Sequence, residues 1–275
     1  MRLRIDLAYH GGHYSGWAKQ PHRPTVQGAL EDALAVTLRL ERSQVTTVVA
    51  GRTDAGVHAL GQVAHLDLPE GYAVSANALH ALPQRLQGAL KTPTIVIHDV
   101  QIAPEGFDAR FSALARRYVY RIADAQARKN PLSAHQTLWR RESLDIEAMN
   151  RLGSALCGLH DWASFCKARE GATTIRDLQA FSWERDDEGV LVGEVVADAF
   201  CHSMVRALVG AALAAGSGKL DVEQVVRLRD AATRTSAFPT LAAHALTLVE
   251  VVYPPDADLA SRADQTRNKR DADPD

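Results

Sequence analysis

The chain has 275 residues, 46% of them hydrophobic and 23% charged, with a formal net charge of −2. That length allows one large domain or two smaller ones, and no stretch approaches the roughly 20 consecutive apolar residues that span a bilayer. A charge near neutral does not announce a nucleic-acid binder, yet it leaves room for a basic face, because binding responds to local fields and not to the sum.

The elements follow in chain order. Leu3, Ile5, Leu7 and Tyr9 alternate with Arg2, Arg4, Asp6 and Ala8, which predicts a half-buried strand and not a signal peptide; a cytoplasmic location is the expectation. A glycine-rich turn runs from Gly11 to Gly16. Val26, Leu30 and Leu34 at i+4 spacing, with Thr25 placed to cap, predict a helix. Val45 to Ala50 reads as a buried strand, Gly51 to Gly61 as a loop, and Gln62 to Leu68 as another strand. Ser75 starts a helix, and Thr94 to Ile102 is again strand-like. In the second half, Arg117 to Ile122 alternates as a strand. Ile146, Met149, Leu152 and Leu156 mark a helix, with Gly158 suited to its C-terminal end. Thr173 to Arg185 and Val190 to Val196 form a hairpin around Asp187, Glu188 and Gly189. Val205, Leu208, Val209, Ala212 and Leu213 give one helical face. Asp221 and Gln224 form a capping box for the next helix, and Leu246 to Tyr253 closes as a strand.

Strands run into hairpin signals as often as into helices, which predicts α+β with largely antiparallel sheets. Cys157, Cys166 and Cys201 lack the paired spacing of a zinc site, and the eleven histidines hold no HExxH motif. The expectation is three free thiols and no metal. From Asp256 to Asp275 there are six Asp against four basic residues, a net of −2, so the rest of the chain sums to zero. Residues 254–275 carry only Leu259 as a large aliphatic, and a disordered tail is expected.

The most informative stretch is GRTDAGVHALGQVAH, Gly51 to His65. It sets one acid, Asp54, between two predicted strands. Gly51, Gly56 and Gly61 permit tight bends and close approach of a ligand. Arg52 and His58 lie in the same loop. An Asp beside an Arg stays ionised, and such a carboxylate can attack an electrophilic carbon or remove a proton. The plain alternative is an Asp that holds a turn through local hydrogen bonds. There is no GxxxxGK phosphate cradle and no serine elbow.

This stretch strongly resembles the catalytic loop of the tRNA pseudouridine synthase A (TruA) family. YHGGHYSGWAKQP followed by TVQGALEDAL, from Tyr9 to Leu34, looks like that family's first block. FDARFSALARRYVY, from Phe107 to Tyr120, resembles its second-domain entry. GLHDWASF (Gly158 to Phe165) and FCHSMVRALVG (Phe200 to Gly210) are similar to later blocks, all in family order. The resemblance implies the pseudouridine synthase fold: two similar α+β halves sharing an extended, mostly antiparallel sheet with helices and a central cleft. The expected division is 1–106 with the catalytic loop, 107–253 completing the cleft, and the tail 254–275. The implied reaction converts uridine to pseudouridine at positions 38 to 40 of the tRNA anticodon stem-loop, in a homodimer, with no cofactor and no metal.

Residue by residue, Asp54 matches the family's catalytic aspartate, Tyr118 the tyrosine that packs on the target uracil, and Arg52 the arginine that pairs with the acid. Arg116, Arg117, His202 and Arg206 fall in matching blocks as RNA-facing candidates. Each has a plainer alternative: Tyr118 as a core residue, Arg52 as a solvated charge, the Arg116–Arg117 pair as a solvated edge, His202 as a cap or packed ring. The chain departs from the family pattern at His10, Ala18, Asp108 and Ala245, which bears on RNA contact and leaves the three matched residues untouched. A catalytically dead RNA-binding module would show a changed residue at 54. A glycoside hydrolase would need a second carboxylate across the cleft, and none stands out. A ligand-free structural dimer does not account for the glycine-bounded loop.

Overall fold

Alternation in the first nine residues produces the strand that organises the N-terminal part. In β1 (Arg2–Tyr9) Leu3, Ile5 and Leu7 are fully buried and Tyr9 nearly so, while the residues between them are partly exposed. The computed structural model describes residues 1–167 and 173–271, with side chains as far as 267. The chain forms two compact units, Met1–Leu114 with Leu248–Pro274, and Ala115–Thr247.

In the first unit β1 is antiparallel to β3 (His58–Asp67) on one side and to β4 (Ile95–Ile102) on the other, and β2 (Thr47–Val49) pairs with β3. Helix α1 (Val26–Leu38) begins where expected: the Thr25 side chain accepts a hydrogen bond from the Gly28 amide, and Val26, Leu30 and Leu34 are fully buried. Helices α2 (Ala76–His80) and α3 (Leu82–Leu90) follow, with Ser75 as the cap of α2. β3 starts at His58, inside the stretch expected to be loop, so the true loop is shorter than its glycines advertise. Gly61 serves the sheet and not a bend. A Cβ there would stand 2.4 Å from the Val249 carbonyl oxygen, so β10 (Leu246–Val252), the neighbour of β3, can approach only because residue 61 has no side chain.

The second unit has the sheet order β5 (Ala115–Ala123), β9 (Leu191–Ala197), β8 (Ile175–Arg185), β7 (Gly158–Asp161), all antiparallel pairings, with the two-residue β6 (Leu138–Trp139) parallel to β5. Gly189 turns the β8–β9 hairpin with φ +77°. Asp145 caps α4 (Ile146–Leu156), and Asp221 and Gln224 make the expected capping box of α6 (Val222–Asp230). Helix α5 (Met204–Gly216) is buried on all sides and not on one face only: of its residues Arg206 alone retains appreciable exposure. The architecture is mixed α+β with largely antiparallel sheet, as the hairpin signals predict.

Three expectations are corrected. The units divide at Leu114/Ala115 and not at 106/107, and the closing strand joins the first unit from Leu248 onward, because strand order in a sheet need not follow chain order. Cys166 and Cys201 are not free thiols: their sulfur atoms are bonded, with Cα atoms 5.8 Å apart, a normal disulfide span. A separation of 35 residues carries no spacing signal. Cys157 remains free.

The tail is the third. Helix α7 (Leu259–Asp271) follows a short turn at Asp256–Asp258, and Leu259 and Ala263 are 2% and 1% exposed. The Ser112 hydroxyl donates to the Leu259 carbonyl at 3.0 Å, and Arg267 pairs with Asp108 at 3.1 Å. The Asp108 carboxylate also accepts the amides of Arg110 and Phe111, so this departure from the family pattern anchors both its own turn and the tail. One leucine and one alanine a helical turn apart, with polar tethers, do what composition says the segment cannot. Truncation after Pro255 is expected to lower the melting temperature by about 4 °C or more, since losing a buried leucine costs about 2 kcal/mol and a chain of this size shifts by ~2–4 °C per kcal/mol. Thermal denaturation followed by circular dichroism checks it; an unchanged midpoint would mean that α7 contributes nothing.

Candidate active site

The loop between β2 and β3 is gripped from beneath. The Thr53 hydroxyl lies 2.8 Å from the Tyr9 hydroxyl, and Gln62 Nε2 donates both to the Tyr9 oxygen at 3.0 Å and to the Gly51 carbonyl at 2.9 Å. Tyr9 is 4% exposed and Gln62 wholly buried. Burial pushes the Tyr9 phenol up to about 12, against the smaller opposing pull of its hydrogen bonds to Thr53 and Gln62, so the ring is neutral. The Trp17 amide donates to the Thr53 carbonyl at 3.1 Å, and the Trp17 ring is buried. Gly16, with φ +99°, passes so close that a Cβ would sit 3.0 Å from the Thr53 oxygen and 3.3 Å from the Asp54 carbonyl carbon. On the far side a Cβ at Gly11 would stand 1.9 Å from the Val57 oxygen, and the Gly11 amide donates to His58 Nδ1 at 3.1 Å. The Val57 amide donates to the Asp54 carbonyl at 3.2 Å, closing the turn.

Asp54 itself is half-buried on this fixed turn. Its side chain therefore projects from a backbone that cannot readily move, which is the arrangement a preorganised carboxylate needs. Arg52 is exposed and makes no hydrogen bond or ion pair among the described residues, so the expected pairing of Arg52 with Asp54 is not seen. The ring of His10, at another family departure, lies tilted 4.4 Å from the His58 ring and 5.4 Å from the His13 ring. No cluster of His, Cys, Asp and Glu able to hold a metal ion occurs among the described residues.

In the second unit the parity of β5 sorts the candidates. Arg116, Tyr118 and Tyr120 share one face, and Arg117 lies on the other, because successive side chains alternate across a strand. Tyr118 is 6% exposed and meets the Phe200 ring edge-on, with centroids 5.2 Å apart and planes at 89°. Arg116 is buried too and donates to the Asp198 carbonyl at 2.6 Å, so it is not the solvated edge that was its plainer alternative. Arg117 is half-exposed and pairs with Glu194 at 3.0 Å. The Tyr120 hydroxyl donates to the Ala242 carbonyl at 2.9 Å; burial raises its pKa, and the charge of nearby Arg206 opposes this. Arg206 Nε donates to the Leu241 carbonyl at 2.6 Å. The second unit thus brings Arg116, Tyr118, Phe200 and Arg206 to one side of β5. It sets His202 exposed just before α5, its carbonyl accepting from the Lys167 amide at 3.1 Å.

Sequence reasoning missed Tyr9, Gln62 and Phe200. Tyr9 and Gln62 read as ordinary strand positions. Phe200 opens the block that contains His202 and Arg206, and nothing in the block's sequence tells that its ring meets Tyr118.

The grip gives a prediction. A phenol whose folded-state pKa is raised from 10.0 to about 12 favours folding fully below pH 10, and that contribution is lost as pH rises toward 12. Tyr9→Phe, which deletes the shared hydroxyl, is expected to cost about 1–2 kcal/mol at pH 8 and to flatten the loss of stability between about pH 10 and 12. Urea denaturation at both ends of that range checks it; equal pH dependence in both proteins would show that the hydroxyl is not the titrating group.

Comparison with known proteins gives a consistent result. A family profile described as tRNA pseudouridine synthase matches residues 7–111 and 154–254. The chain is 55% identical over 280 residues to "tRNA pseudouridine synthase A" of Leifsonia xyli subsp. xyli, covering 98% of this chain and 97% of that one. It is 50% identical to the protein of the same name from Streptomyces griseus subsp. griseus, covering 98% and 94%, and 45% identical to that of Corynebacterium glutamicum, covering 98% and 96%.

Proposed function

From the premise that this chain belongs to the tRNA pseudouridine synthase A family, and is an isomerase with the pseudouridine synthase fold, we propose that it acts on uridines at positions 38 to 40 of the anticodon stem-loop with Asp54 as the catalytic carboxylate. The observation that carries this reading is the Asp54 turn: one acid, partly open to solvent, on a backbone clamped by Tyr9, Gln62, Trp17 and two glycines. The segment that clamps it suits an RNA neighbour. No acidic residue occurs between Asp6 and Glu31, and within that interval Lys19 and Arg23 are exposed. Phosphates meet cations there and no opposing carboxylate.

The chemistry balances without a cofactor. The N1–C1′ glycosidic bond breaks, the base turns, C5 bonds to C1′, and the C5 proton is lost while N1 gains one. No electrons enter or leave. A stacked base cannot turn, so the target uridine must leave its stack. Tyr118 is the proposed platform for it, with its ring held upright against Phe200. Arg52, exposed and without a protein partner among the described residues, is proposed to meet phosphate. Arg117, His202 and Arg206 are proposed as further RNA contacts. Arg116, being buried, is proposed instead to brace the Tyr118 face. Work as a homodimer belongs to the same reading and rests on the family resemblance.

Asp54→Asn keeps nearly the same shape and removes the charge. Pseudouridine formation in unmodified tRNA is expected to fall by at least about 10³-fold, the scale of losing an essential group, while the tRNA dissociation constant at fixed salt stays level or improves. Mapping pseudouridine by nucleotide and measuring binding in parallel tests both halves; near-normal turnover would make Asp54 a turn residue only.

Tyr118 is tested by its ring. Tyr118→Leu is expected to lose most turnover and Tyr118→Phe distinctly less, because the face does the packing. Single-turnover rates at saturating tRNA separate this from binding. Full activity in the leucine variant would place Tyr118 in the core alone.

A further inference from the structure

The segment between β5 and α4 has no role in the reading above, yet its surface is unusual. From Ala125 to Arg141 the chain carries Arg128, Lys129, Arg140 and Arg141 and no acidic residue. Within it stands Trp139, 43% exposed, in a protein whose other three tryptophans, Trp17, Trp162 and Trp183, are 1%, 0% and 4% exposed. Trp139 belongs to β6, which lies parallel beside the end of β5 with Trp139 opposite Ala123. Lys129 Nζ sits 6.0 Å from the centroid of the Trp139 ring. Arg128, Lys129 and Arg141 are exposed, and their side chains form no hydrogen bond or ion pair among the described residues. Arg140 is engaged by Glu142 at 2.7 Å. The acid that precedes the segment, Asp124, is buried and held by Arg185 at 2.8 Å, and further acids lie on the β8–β9 turn. There Asp186 is taken by Arg121 at 2.6 Å, and Asp187 and Glu188 are exposed, with the Glu188 carbonyl accepting from the Arg128 amide.

We propose that Trp139 with Arg128, Lys129 and Arg141 is a second RNA-binding surface, on which an unstacked base lies against the indole while the flanking phosphates meet the three cations. It rests on the tRNA reading above and adds to it a place on the protein for a part of the tRNA other than the target nucleotide. An exposed aromatic ring among unpaired cations is the combination that binds single-stranded RNA, since every base has a face to stack and every linkage a negative charge. A protein partner fits worse, because burying three unpaired cations costs more than the indole returns. The surface is separate from the proposed base platform. Tyr118 and Ala123 are five residues apart on β5, roughly 17 Å at about 3.3 Å per residue, so one nucleotide cannot occupy both.

The exposure of a single tryptophan makes the proposal directly measurable. Acrylamide quenching of the intrinsic fluorescence reports chiefly Trp139. Saturation with unmodified tRNA is expected to lower the quenching constant at least about twofold, and Trp139→Phe is expected to abolish that change. Trp139→Ala should weaken tRNA binding about tenfold, the scale of one lost base stack. The triple change of Arg128, Lys129 and Arg141 to Gln should reduce the slope of log affinity against log salt by about 2, near the value for three lost phosphate contacts. If tRNA binds with unchanged quenching and an unchanged salt slope, the surface does not touch RNA and the proposal is overturned. Protection that rises with protein concentration in the absence of RNA would overturn it in favour of a second copy of the chain. These are binding measurements, so a failure of Asp54→Asn to lose turnover would sink the catalytic assignment and leave this one standing.

Discussion

The hydrogen bonds that Tyr9, Thr53 and Gln62 exchange in a space closed to water hold the carboxylate loop in one place. Each bond contributes only about 1 kcal/mol net, but a donor or acceptor left alone in that space costs about 1–3 kcal/mol. The group therefore forms whole or not at all. Gln62 is fully used: its amide nitrogen serves Tyr9 and Gly51, and its oxygen accepts the Val63 amide at 3.2 Å. The register of β1 on β3 shifts between Leu7 and Tyr9, so Tyr9 is aimed by the same irregularity that lets β3 begin early at His58. Sheet pairing, through three side chains, becomes the position of Asp54.

The second unit reaches a similar end by different means. Its proposed base platform is a strand position, so alternation fixes which neighbours it has. Arg116 looks like an RNA contact in sequence and is buried on the Tyr118 face, bound to a backbone carbonyl. A guanidinium in that position satisfies a buried acceptor and stiffens the strand end. Arg117, one residue on, faces the other way and is tied to Glu194. Adjacent arginines with the same sequence claim on RNA thus do different work, and the two-residue period of the strand separates them.

Much of this was legible beforehand, for identifiable reasons. The β1 alternation, the Thr25 and Ser75 caps, the Asp221–Gln224 box and the Gly189 hairpin are local signals, and local physics honoured them. What escaped was non-local. Gly61 reads as a loop residue until β10 lies beside it. The Cys166–Cys201 bond joins segments that only the fold brings together. Helix α7 needed Asp108, Ser112 and Gly106 from a distant turn; a Cβ at Gly106 would strike Ala260 at 2.5 Å, so a glycine there makes room for the helix. Asp54 was singled out by the pattern around it, but the grip on its loop was invisible, because Tyr9 and Gln62 look like any strand residues.

The charge balance also takes on meaning once placed on the fold. An enzyme for RNA with a net charge of −2 cannot rely on its overall field to collect substrate. On the readings proposed above, its acid-free stretches would do that locally: residues 7 to 30 beside the Asp54 loop in one unit, and 125 to 141 around Trp139 in the other. Elsewhere many cations are spent on carboxylates, as in Arg2–Asp67, Arg185–Asp124 and Arg121–Asp186. At physiological salt, fields from exposed charges fade within about 8 Å. Cations arranged this way attract RNA only where it comes within contact distance, which favours a strand that fits over one that merely drifts past. A uniformly basic surface would bind any duplex tightly and release it slowly. Local clusters of cations on a chain of near-neutral charge favour contact over long-range capture.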